Sequence, residues 1–150
     1  SRTVARPVHD LYTTVFRISP AGDVRRVLFA KKASRVSPAK HHLDGIRAMT
    51  VDTKGRILII SLLMIFEQRG FDALQLMRVD EPNATVVPIS GTKIPKGTWL
   101  AEHPFDGPID LAYFENPRDL CAMPDGTIYV NDDLLIRRID PNGVVSTWAF

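Results

Sequence analysis

Two arginines stand at matching places in a repeated pattern, with three aspartates close by. The stretch Gly45 to Ile60, GIRAMTVDTKGRILII, overlies Asn116 to Asn131, NPRDLCAMPDGTIYVN, without a gap. Arg47 then matches Arg118, Gly55 matches Gly126 and Ile57 matches Ile128. Each arginine opens an apolar run, so both guanidinium groups can face one mouth of the fold and hold an anionic group by charge-assisted hydrogen bonds. Asp119, Asp132 and Asp133 are near in sequence to Arg118. They either line the same mouth or neutralise the arginines across neighbouring sheets. The candidate ligand-binding set is therefore Arg47, Arg118, Asp119, Asp132 and Asp133.

Other chemistry finds little support. His41-His42-Leu43-Asp44 offers imidazole and carboxylate, which suit zinc or iron. Adjacent side chains in an extended segment point to opposite sides, however. His9 and His103 are isolated, so no metal site is assigned. Cys121, the single cysteine, sits in an apolar run and reads as a small buried hydrophobe. The chain has no G-x-S-x-G elbow, no H-E-x-x-H pair and no Walker loop, and no cofactor is expected.

The elements that must position these residues are strands. Asp119 to Met123, Thr127 to Val130, Leu134 to Ile139 and Val144 to Phe150 are short runs separated by turn signals at Asp125-Gly126 and Pro141-Asn142-Gly143. Four antiparallel strands in about 35 residues is the unit of a propeller blade. The second half of that unit recurs as FRISPAGDV from Phe16, MRVDEPNATV from Met77 and RRIDPNGVV from Arg137. The fold class is all-β, with blades over 45–89 and 116–150, the second half of a blade over 1–30, and a Gly- and Pro-rich crossover over 90–115. The run Ile57 to Phe66, ILIISLLMIF, reads as a strand buried on both faces. A membrane helix needs about 20 residues, far more than this run supplies. Gln68 to Asp72 lies in a long connection read as an extended hairpin, and Trp99 and Phe105 are read as pins of the crossover.

The third unit resembles the NHL repeat family of β-propellers. Asp106-Gly107-Pro108, Ala112, Phe114, Pro117, Asp125-Gly126, Ile128-Tyr129-Val130, Ile136-Arg137-Arg138-Ile139, Gly143, Val145 and Thr147 follow that pattern in order. Asp119 stands where the family usually has Gly, and Leu134-Leu135 replaces the Asn-His pair. The resemblance implies a noncatalytic propeller module for protein or ligand recognition. The alternative is a metal-dependent hydrolase or lyase of the gluconolactonase or amidating-lyase type, since Pro117-Arg118-Asp119-Leu120 is similar to the PNDL of the former, with Arg118 in place of Asn.

About two and a half blades form an incomplete ring, because closure takes roughly four to eight. The expected partner is thus another protein, a second copy completing the propeller, or the rest of a longer polypeptide, with a small anionic ligand as the further candidate. Charge is uneven: residues 1–56 hold 12 Lys and Arg against 4 Asp and Glu, or +8, and residues 57–150 hold 7 against 13, or −6. Tyr12, Phe16 and Phe29 are the only aromatic residues in the basic stretch, too few to form a run of base-stacking platforms, so nucleic acid is disfavoured as a partner. No membrane span is expected. One cysteine leaves the compartment open, an extracytoplasmic or secreted setting included.

Overall fold

The computed structural model describes residues 12–31, 42–64, 73–93 and 106–149. The chain is all-β, and among the described residues every strand pairing is antiparallel. Among the described residues there is no helix, hence none long and apolar enough to cross a membrane. The first sheet has two strands, β1 (Tyr12–Ile18) and β2 (Val24–Lys31). The second runs β3 (His42–Val51), β4 (Ile57–Met64), β5 (Ala73–Asp80) and β6 (Thr85–Pro88) in chain order. After β7 (Gly107–Pro108) comes the third sheet, β8 (Pro117–Ala122), β9 (Ile128–Asp132), β10 (Leu135–Ile139) and β11 (Val144–Ala149), with β7 added beyond β11.

The gap-free sequence match is repeated in the pairing of the strands. Ile46 opposes Ser61, Ala48 opposes Ile60, and the register runs on to Val51 opposite Ile57. Pro117 opposes Asp132, Asp119 opposes Asn131, and that register runs on to Ala122 opposite Ile128. Each of these pairs in the third sheet is the sequence counterpart of one in the second, so one turn geometry has fixed both registers. The turns agree as well. Asp52 N–H donates to Arg56 O and Gly55 N–H to Asp52 O, as Met123 N–H does to Thr127 O and Gly126 N–H to Met123 O.

The second sheet lies between the other two, and alternation along β4 shows why its sequence is apolar except at Ser61. Leu58 and Ile60 join Leu74 and Leu76 of β5 in a core shared with Leu120, Val130, Ile139 and Val145 of the third sheet. Ile57 and Ile59 join Met77 and Val79 in a core shared with Val15, Val27 and Leu28 of the first. A strand buried on both faces must be apolar at both parities. On one edge of the stack Glu81 accepts from both Arg17 and Arg25, at 2.6 Å from the latter, which ties the first sheet to the second.

Two features differ from the sequence reading. Cys121 is exposed, not buried. It follows Leu120, which is turned into the core, and so projects from the outer face of β8, which no other described sheet covers. Within the crossover, Gly107 and Pro108 pair with Val145 and Val144, and Gly91 and Lys93 donate to Ile109 O and Asp110 O. Pro108 can sit there because β7 is an edge strand, where a missing N–H costs no ladder bond. Gln68 to Asp72, Trp99 and Phe105 lie outside the described residues.

Candidate functional site

The two arginines owe their position to an irregularity in the ladder. The pairing of β3 with β4 slips between Ile46 and Ala48, and that of β8 with β9 slips between Pro117 and Asp119. Arg47 and Arg118 are therefore the extra residues of two β-bulges at one register on adjacent sheets. A bulge bends its strand and re-aims the side chain it carries. Both arginines are exposed, Arg118 with 64% of its side chain accessible.

Asn116 connects them. Arg47 Nη1 donates to Asn116 Oδ1 at 3.0 Å, across the junction of the two sheets. Asn116 Nδ2 donates to Asp133 Oδ1 at 3.4 Å, and Arg118 Nη2 lies 3.6 Å from the same oxygen. Asp133 caps the tight β9–β10 turn with a positive φ (φ 57), a conformation that Asp and Asn adopt more readily than other side chains. Its backbone N–H donates to Asn116 O at 3.2 Å. Arg118 and Asp133 are too far apart for a good hydrogen bond and too exposed for a strong ion pair. Arg47 meets a neutral acceptor here, so the group carries two cations against one carboxylate.

Asp132 points the other way. It is 1% exposed, accepts from Asn116 N–H at 2.8 Å, and faces Arg137, whose Nη1 is 3.4 Å from its Oδ2. Arg137 is fully buried, donates to Asp106 Oδ1 at 2.8 Å, and has its guanidinium 5.8 Å from the Phe114 ring centre. Asp106 also accepts from the backbone N–H and the hydroxyl of Thr147, at 2.9 and 3.2 Å. The ionic cluster thus ties the segment entering β7 to β9, β10 and β11 beneath the exposed arginines. Asp119 stands apart on the outer face of β8, its carboxylate accepting from the neighbouring Leu120 N–H.

Of the five residues that the sequence singles out, Arg47, Arg118 and Asp133 come together through Asn116. Asp132 anchors Asn116 from the interior, and Asp119 is directed elsewhere. The sequence reading does not place Asn116, Asp106 or Arg137 in the site. A signal for the last two exists in the Asp-Gly-Pro, Ile-Arg-Arg-Ile and Val-x-Thr positions, whose spacing the hydrogen bonds of Asp106 account for. His41 lies outside the described residues, as do the side chains of His42 and Asp44. Among the described residues no three His, Cys, Asp or Glu side chains are gathered to hold a metal ion.

The opposite edge carries the glycine turns and a groove of about 360 Å³ floored by Leu58, Leu76, Ile89, Ile109, Ile128 and Ile139. Three rim carboxylates are held below their ordinary pKa. Burial pushes Asp52 upward, but the backbone N–H and guanidinium of Arg56 and the Lys54 N–H outweigh it. Asp125 is lowered chiefly by the Thr127 N–H, and Asp140 chiefly by the Val144 N–H. All three carboxylates are engaged by their own turns. No family model and no curated protein matches the chain.

Proposed function

We propose that the chain is a noncatalytic recognition module of the NHL-like propeller kind, and that it takes an anionic group between Arg47 and Arg118. The repeated bulge supports this reading most directly, since it presents a guanidinium fork at one register of two neighbouring sheets. Two forks joined by Asn116 suit a carboxylate or phosphate oxygen pair, which each fork meets in parallel. Such a group displaces Asp133 from Arg118 at little cost, because that contact is loose. The ionic cluster below keeps Asn116 in place.

Calorimetric titration with inorganic phosphate and with a dicarboxylate tests it. Arg47→Ala or Arg118→Ala should each weaken binding roughly ten- to hundredfold, the worth of about 1.5–3 kcal/mol for a hydrogen bond to a charged group. Asp133→Asn should tighten it, because a competing carboxylate is removed while the turn keeps a residue that tolerates positive φ. Equal affinity in all four proteins would refute the assignment.

A further inference from the structure

Among the described residues, both outer faces of the stack expose large apolar side chains. On the first sheet Phe16, Ile18 and Val24 are 55%, 68% and 64% exposed, and they share their face with Arg26. On the third sheet Trp148 is 63% exposed and packs edge-on against Tyr129 at 5.3 Å, on the face that also carries Cys121 and the exposed Asp119. Contiguous apolar area of this kind marks an interface. The two ends are also opposite in charge. Residues 12–31 hold four Lys and Arg against one Asp, or +3, and residues 106–149 hold three Arg against eight Asp and Glu, or −5. Like ends repel and unlike ends attract.

Within one chain, the first sheet meets the second and the second meets the third by the same device, apolar faces of successive sheets packed together. The next contact in that series would set the outer face of a third sheet on the outer face of a first. We infer that a second copy of this chain supplies it: the Trp148 face of each copy docks on the Phe16 face of the other, head to tail. A heterologous contact made twice closes into a two-fold ring.

Light scattering on the full chain at micromolar concentration and low salt should give twice the 16.8 kDa of the monomer. The dimer fraction should fall as salt rises, because screening weakens the attraction of unlike ends. Phe16→Asp and Trp148→Asp should each give monomers with an unchanged β-sheet circular dichroism spectrum. Mixed, they should form a one-to-one dimer, because one intact pair of unlike faces remains between them. Should either variant fail to fold, Arg26→Glu and Asp119→Arg on the exposed faces serve instead, each weakening the dimer several-fold. A monomeric parent protein, a dimer lost through one face only, or a mixture that stays monomeric overturns the proposal. Phosphate titration of the monomeric variants reads the arginine site separately, so failure of one reading is distinguishable from failure of the other.

Discussion

The second and third sheets share a register but not an interior. Ser61 and Asp132 are equivalent, and each uses its side chain to hold the backbone of an equivalent residue: Ser61 Oγ donates to Gly45 O at 2.5 Å, and Asp132 accepts from Asn116 N–H. Met77 and Arg137 are equivalent too, opposite Ile59 and Val130. Met77 is wholly buried among apolar neighbours, and Arg137 is wholly buried beside two carboxylates. Backbone pairing is thus indifferent to whether a buried position is apolar or ionic, provided that the partners are supplied. In the third sheet Asp106 and Asp132 supply them, and the segment entering β7 and Asn116 become fixed as a result.

The largest effect should come from breaking that difference. Arg137→Met gives the third sheet the side chain of the second but leaves Asp132 buried without its cation, a loss of roughly 3–5 kcal/mol by analogy with other broken buried pairs. Adding Asp132→Ser completes the exchange and should restore much of it, as read by urea unfolding of the two single variants and the double. A double variant no more stable than Arg137→Met would show that the cluster acts through Asp106 alone.

Turn chemistry offers a sharper and smaller contrast. Gly143 has a positive φ (φ +80), and an added Cβ would stand 3.4 Å from Ile109 Cγ2. Gly143→Val should therefore cost roughly 1 kcal/mol or more, since a branched side chain fits that region poorly. In the second sheet the corresponding turn closes with Ala84 N–H donating to Glu81 O, and Ala84 has a positive φ (φ 51). Ala84→Gly should stabilise by about 0.5–1 kcal/mol, because alanine is strained where glycine is not. Thermal melting of the two variants should move in opposite directions.

The smallest expected effect is on acid stability. Asp52, Asp125 and Asp140 have folded-state values below the ordinary 3.8. Their contribution is therefore present above the ordinary value and is lost as pH falls through the lowered ones. Asp140→Asn should lower stability at neutral pH and flatten part of that decline, so that the two proteins converge in acid, as measured by urea midpoints across pH.

Much of the scaffold is legible because the gap-free match aligns turns as well as strands, and turns set register. The run from Ile57 announces its two-sided burial by its nearly unbroken apolar sequence. Other features leave no such trace. Ile-Arg-Arg-Ile places one arginine on each face of β10 and does not say which is buried, since that depends on Asp106, far away along the chain. Gly107 and Pro108 are too short a strand to show alternation. Cys121 reads as buried because its neighbours are apolar on both sides, while only Leu120 faces a sheet. The arginine match is visible, but the bulge that aims both side chains is a property of the pairing and not of either strand.

The most direct measurement is a phosphate titration followed by nuclear magnetic resonance of the arginine Nε–H groups. The signals of Arg47 and Arg118 should move together along one binding curve, while the buried Arg137 signal stays in place. Movement of only one of the two, or of neither, would contradict a shared anion site at the repeated bulge.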